Sequence, residues 1–303
     1  MSSEFLKQHQ LPDTYLKTAE DYFSPLIKDI VKRVSPAKTH SLIIGICGSQ
    51  GSGKSTLAAY IEEQLNLNYG ISALRFSLDD FYLSSKEREV LSEQIHPLLK
   101  SRGVPGTHDL KALLNTLSLL SNKIACNISI PQFNKLKDNP GTPLLFEKQE
   151  TPVQVVIIEG WCLGVPKQDA DLLKTAINKL EINQDSDGQW RHWVNEQLGI
   201  YHERLSDLLE IQVFLKVPSW EQVLDWREEQ ELKLAERSCE GKAMNRKQLE
   251  IFISYFQRIT EHALKIMPTK CHYLFELNSN REIVNATMPT KESYKNNSSN
   301  TPS

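Results

Sequence analysis

Cysteine is scarce in this chain, and its five residues (Cys47, Cys126, Cys162, Cys239 and Cys271) lie far apart with no C-x-x-C pair. That spacing excludes a disulfide framework and the common zinc ligand sets, leaving reduced thiols of a cytoplasmic protein as the expectation. Long apolar runs are missing as well. No stretch approaches the roughly 20 residues that a membrane span requires, and the N-terminus, Met1 to Gln10, has neither an apolar signal core nor an arginine-rich leader. Charge of one sign is also lacking: 35 Lys and Arg stand against 38 Asp and Glu, a formal net charge of −3. This excludes a global pull toward nucleic acid or anionic membrane, so any cationic surface for an anionic ligand must be local. What remains is the composition of an ordinary globular protein, 40% hydrophobic and 24% charged. Its 303 residues suffice for one large α/β domain with appended segments.

Apolar positions recur at helical spacing from Thr14 to Val34 (Tyr15, Ala19, Tyr22, Phe23, Leu26, Ile27, Ile30, Val31), which predicts an N-terminal helical segment over residues 1–38. Ser35 to Thr39 is a connector. Strands are predicted at Ser41–Cys47, Ile71–Ser77, Val153–Glu159 and Ile211–Lys216, with Cys271–Glu276 as a final one. Helical stretches separate them, among them Ser85–Gln94, Ser219–Glu236 and Lys247–Met267. Strands alternating with helices predict a doubly wound parallel sheet with helices on both faces. The main domain is expected over 39–286, with a helical lid at about 218–246, and residues 287–303, rich in Ser, Asn, Thr and Lys, as a disordered tail.

One motif carries direct chemical information. Gly48-Ser-Gln-Gly-Ser-Gly-Lys54-Ser55 matches G-x-x-x-x-G-K-[ST] at every position, between a predicted strand and a predicted helix. Glycines there let backbone N–H groups face phosphate oxygens, and the helix N-terminus favours the anion. Gly48, Ser49, Gln50, Gly51, Ser52, Gly53, Lys54, Ser55 and Thr56 are therefore the expected triphosphate-binding residues. Lys54 is expected on the β- and γ-phosphates and Ser55 on Mg²⁺. The implied ligands are ATP and Mg²⁺.

Two acidic positions narrow the chemistry. Glu159 ends the most β-branched strand, where a carboxylate addresses the metal. Asp79 and Asp80 end the second strand, on the edge where α/β proteins bind ligands. A hydroxyl attacking a γ-phosphoryl group needs a carboxylate to orient it and take its proton. Neighbours on an extended chain face opposite ways, so one of the two enters the cleft. Asp79 is the candidate base and metal-shell group, and Asp80 its support.

Five blocks together resemble the plant-type D-glycerate 3-kinase family and its relatives, the uridine kinases, phosphoribulokinases and pantothenate kinases. They are Gly48–Ser55, Leu78–Leu83, Arg102–Asp109, Glu159–Gly164 and Trp226–Glu231. The resemblance runs from about Leu42 to Glu282 and takes in Asp187–Trp190, Val194–Leu198 and Ala243-Met244. It implies MgATP-dependent phosphorylation of a small hydroxyl substrate, with Asp79 as catalytic aspartate. Asp80, Tyr82, Arg102, Thr107, His108, Asp109 and Lys135 fall on the substrate side. Arg227 falls on the lid helix, where a guanidinium can neutralise charge on the transferred group. One block departs from the family pattern: Asn134, in Pro131–Pro140, stands where the family has aspartate, and the following arginine is missing. The acceptor is thus D-glycerate or another small hydroxyl compound (nucleoside, pantothenate-like or sugar). A regulatory ATP-binding protein with decayed activity is the remaining alternative.

Overall fold

The computed structural model describes residues 3–34, 40–122, 126–148, 153–237 and 246–289. The described strands are β1 (Leu42–Gly48), β2 (Ala73–Ser77), β3 (Cys126–Ile130), β4 (Phe133–Asn134), β5 (Asn139–Pro140), β6 (Leu144–Lys148), β7 (Val155–Gly160), β8 (Ile211–Lys216), β9 (Tyr273–Leu277) and β10 (Ile283–Thr287). The helices are α1 (Ser3–His9), α2 (Thr14–Thr18), α3 (Ser24–Arg33), α4 (Lys54–Asn68), α5 (Ser85–Gln94), α6 (Leu110–Ser121), α7 (Lys179–Gln184), α8 (Gln189–Leu205), α9 (Trp220–Arg237) and α10 (Arg246–Ile266). No helix among the described residues is long and apolar enough to cross a membrane.

Six strands form the central sheet in the order β10-β9-β8-β1-β7-β2. All neighbours are parallel except the edge pair β9 and β10. The β-branched sequences of β1 and β7 explain their central place, since every residue of both is buried. Alternation along β7 divides the core. Val155 and Ile157 face a layer built from α3, α4 and the N-terminal residues Phe5, Phe23 and Leu26. Val156 and Ile158 face the other layer, with Leu113 and Leu117 of α6, Leu198 of α8 and Phe256 of α10. The N-terminal segment is thus part of the main core. Phe23 meets Phe275 edge to face at 5.5 Å, and the Tyr273 hydroxyl donates to Asp29 at 2.8 Å.

The structure differs from the expectation in three places. Strand β10 follows the strand expected to be last, because the turn Asn278 to Arg281 folds the chain back as a hairpin; Asn278 Oδ1 accepts from the N–H groups of Asn280 and Glu282. Two small antiparallel ribbons, β3 with β6 and β4 with β5, occupy a stretch with no periodicity strong enough to predict. The expected tail continues β10 through Thr287, and beyond Pro289 it lies outside the described residues, as do the connector 35–39 and residues 238–245 of the lid.

Candidate active site

Parallel pairing brings the signalled residues to one edge. β1 and β7 align Ile46 with Glu159 and Cys47 with Gly160, while β2 aligns Ser77 with Glu159. The loop after β1, the end of β7 and the turn after β2 therefore converge at the carboxyl ends of neighbouring strands. The consequence is direct contact: the Ser55 hydroxyl donates to Glu159 Oε1 at 2.7 Å, and Lys54 Nζ stands 3.8 Å from Oε2.

The loop itself is shaped for an anion. Gly53 takes φ +90° as the residue preceding α4 and provides no side-chain cap, so the first N–H groups of the helix are left for a ligand. Gly51 takes φ +79°, and a Cβ there would lie 2.8 Å from Trp226 Cβ. The buried side-chain oxygens Ser49 Oγ, Gln50 Oε1, Ser52 Oγ and Glu159 Oε2 have no hydrogen-bond partner within the protein. Four such groups around one loop fit polar ligand atoms, as a magnesium triphosphate supplies. Among the described residues no three acidic, imidazole or thiol side chains converge on a metal-sized site. The donor set suits Mg²⁺, which keeps water and phosphate oxygens in its shell.

Across the cleft stands Asp79, in the 3₁₀ turn Leu78–Phe81 that caps β2. Tyr82 Oη donates to its Oδ1 at 2.9 Å and Lys135 Nζ to its Oδ2 at 2.8 Å. Burial pushes the Asp79 carboxyl up, but Lys135, Lys54 and His108 outweigh it and hold the group at about 2. Gln50, Lys54, Asp79, Arg102, Lys135 and Arg227 are among the residues lining a cavity of about 90 Å³, with Trp161, Phe252 and Phe256 as its apolar wall. Asp79 is the one carboxylate among these lining residues, beside four cations of which Lys54 and Arg102 are also paired with Glu159 and Asp138.

The remaining substrate-side candidates divide into two groups. Tyr82 lines the cleft and stacks on His108 at 4.4 Å. Arg102 reaches Asp138 and lies over the Phe133 ring at 5.4 Å. Thr107, Asp109 and Asp80 are, by contrast, engaged with backbone. Thr107 Oγ1 accepts from Gly103 N and donates to Val104 O within its own loop. Asp109 caps α6 by accepting from Ala112 N at 2.8 Å. Asp80 accepts from Ser77 N at 3.0 Å, completing the capping box of its turn, and lines a separate hollow with Glu62 and Gln132. All three side chains serve their own turns in this way, a task short polar side chains do well. His108 is buried and pushed down to about 4 by that burial, so it is neutral near pH 7; its Nδ1 pairs with Tyr201 Oη at 3.1 Å. Asp79, expected also at the metal, has both oxygens engaged by Tyr82 and Lys135.

Sequence reasoning missed the brace behind the phosphate loop. Arg281 donates from Nε to Gly51 O at 3.0 Å, pairs with Glu229 at 2.7 Å and lies over the Trp226 ring at 4.9 Å. Trp226 is buried and donates to Ser279 O at 2.9 Å. One turn of α9 is thus fixed to the loop, which aims the adjacent Arg227 into the cleft. A lone arginine in a polar turn gave no signal of this. Equally unsignalled was a cavity of about 390 Å³ on the other side of Gly51 to Leu57, walled by Leu11, Tyr15, Phe23, Leu277 and Ile283 among others.

The geometry has counterparts among known proteins. An uncharacterized kinase of Schizosaccharomyces pombe is 29% identical over 267 residues, covering 85% of this chain and 93% of that protein. The chloroplastic D-glycerate 3-kinase of Arabidopsis thaliana is 28% identical over 223 residues, 71% of this chain but 46% of the plant protein. The solved structure of a D-glycerate 3-kinase from Cryptococcus neoformans superposes with a TM-score of 0.71 at 25% identity, covering 92% of this chain and 100% of that one. No family model matches the chain.

Proposed function

We propose that this chain, an ATP-dependent phosphotransferase of the D-glycerate 3-kinase family, transfers the γ-phosphoryl group of MgATP to a hydroxyl of D-glycerate. The observation that carries the reading is the pairing of a phosphate-and-metal half-site (Lys54, Ser55, Glu159) with Asp79 across a small cationic cleft. In this reading the loop N–H groups and Lys54 hold the phosphates, and Ser55 and Glu159 hold Mg²⁺. When bound, the ion offsets charge on the β- and γ-phosphate oxygens. Asp79, oriented by the Tyr82 hydroxyl, takes the proton of the acceptor hydroxyl as its oxygen attacks the γ-phosphorus. Arg227 faces the developing charge from the first half of the lid, and Lys135 and Arg102 receive the anionic end of the acceptor.

Cleft size and charge favour a short hydroxy acid. The cleft of about 90 Å³ lined by Lys54, Arg102, Lys135 and Arg227 suits a small anionic acceptor such as a three-carbon hydroxy acid. The departure at Asn134 does not count against it. Asn134 Oδ1 accepts from Leu136 N and Lys137 N, capping the turn between β4 and β5, a task an aspartate oxygen performs equally. The separate 390 Å³ cavity beside Gly51 to Leu57 is assigned to the nucleotide base. Tyr15→Ala should then raise KM for ATP about tenfold, the equivalent of roughly 1.4 kcal/mol, with KM for the acceptor unchanged; initial rates with each substrate varied check this. Free, buried Cys47 and Cys162 suit a reducing compartment, and a cytoplasmic location belongs to this reading.

A coupled ADP-release screen with MgATP and a panel of hydroxyl compounds tests the assignment. D-Glycerate should give the highest kcat/KM, with nucleosides and pantothenate near background. No acceptor raising ADP release above the hydrolysis rate would favour the regulatory alternative.

A further inference from the structure

We propose that Lys135 is a latch on Asp79, holding the carboxylate when no acceptor is present and released from it by the carboxylate of an incoming hydroxy acid. The inference rests on Asp79 being the base, as proposed above. The two oxygens of Asp79 have unlike partners. Oδ1 accepts from Tyr82, whose ring is buried and stacked on His108, so this partner is fixed. Oδ2 accepts from Lys135, which is 60% exposed at the tip of the β4–β5 hairpin, so this partner is exchangeable.

The hairpin itself is anchored while its tip is not. Asn134 caps the turn, and Asp138, the last residue of the turn, is held by Arg88 and Arg102. From that support Leu136 projects into solvent, 98% exposed, while Lys135, 60% exposed along its side chain, turns its ammonium to Asp79. An exposed ion pair is weak enough to be exchanged. A substrate carboxylate entering beside Arg102 offers Lys135 an equivalent anion, so one charge-assisted hydrogen bond is broken and one is formed. Asp79 Oδ2 is then open to the substrate hydroxyl. The oxygen–phosphorus bond forms, the bond from the γ-phosphorus to the bridging oxygen breaks, ADP leaves, and the hydroxyl proton passes to Oδ2. Lys135 stays protonated throughout. A neutral alcohol cannot make the exchange. Water, the competing acceptor, meets a base that is already engaged, so ATP is spared when glycerate is absent.

The test is MgATP hydrolysis without any hydroxyl acceptor, followed as phosphate release from the full-length protein. Lys135→Gln should raise the rate about tenfold, and Lys135→Arg should bring it back toward the native rate. Acetate or propionate, which supply the carboxylate but no hydroxyl, should stimulate hydrolysis by the native enzyme saturably and have no effect on Lys135→Gln. An unchanged or lower rate in Lys135→Gln, or carboxylates without effect on the native enzyme, would overturn the proposal. Because no acceptor is present, these outcomes do not depend on D-glycerate being the substrate, and that assignment fails or stands in the acceptor screen instead. The exposed side chain makes a folding defect easy to separate, since the thermal midpoint of Lys135→Gln should match that of the native protein.

Discussion

Asp79→Asn should lower kcat about a thousandfold while leaving the dissociation constant for MgATP within about twofold, the size expected when a positioned general base is removed. The amide has the carboxylate's shape and retains an oxygen for the Tyr82 hydroxyl, so the turn Leu78–Phe81 and its capping box survive. What is lost is the ability to take a proton and the negative charge that Lys135 and Lys54 face. The proposed ATP contacts lie on the other strand ends, at the β1 loop and Glu159, so binding should be spared. Steady-state rates with glycerate, together with calorimetric titration of nucleotide, separate the two effects. A variant that kept native turnover would remove Asp79 from the mechanism. One in which kcat fell only in step with nucleotide affinity would make it a structural residue.

Lys54→Ala should cost at least as much, by a different route. Its ammonium is mostly buried at the phosphate loop, 3.8 Å from Glu159. A cation at this point binds the phosphates in the ground state and more strongly as charge spreads over the transferred group. Removing it should lower kcat/KM for ATP a thousandfold or more, equivalent to about 4 kcal/mol or more of transition-state stabilisation. The substitution also leaves the Glu159 charge without its nearest ammonium, so a cation there meets less repulsion and residual activity should need no more Mg²⁺ than the native enzyme. Rates across an Mg²⁺ series at fixed ATP measure this, and near-native activity would exclude Lys54 from phosphoryl transfer. The contrast between the two variants is informative in itself. Asp79→Asn should leave nucleotide binding intact, and Lys54→Ala should not.

The donor half of this site was legible in the sequence because its residues are consecutive. Strand, glycine loop and helix are local features, and Glu159 is marked by the β-branched run before it. The parallel register that sets Ser55 against Glu159 follows from two strands buried on both faces. The acceptor half was legible only in part, for physical reasons. Asp79 and Asp80 look alike in sequence, and only the capping box shows that Asp80 is committed to Ser77. Thr107 and Asp109 are polar loop residues whose bonds to backbone groups could not be read from the sequence. Asn134 looked like a lost charge and is a turn cap. The brace through Arg281, Trp226 and Gly51 joins residues 230 positions apart in the chain, at a close approach that no local pattern encodes. The N-terminal segment gave a clear helical period, but that period does not reveal that Leu11 and Tyr15 wall a cavity beside the phosphate loop.

The most direct measurement is the structure of the product. Purified protein, MgATP and D-glycerate are incubated, and the phosphorus spectrum of the mixture is followed with the carbon position of the new ester assigned by coupling. The account predicts ADP and phosphoglycerate in equal amounts, with the phosphate on the 3-hydroxyl, and no phosphoglycerate from Asp79→Asn on the same timescale. ADP accompanied only by inorganic phosphate, or an ester that forms equally well in Asp79→Asn, would contradict it.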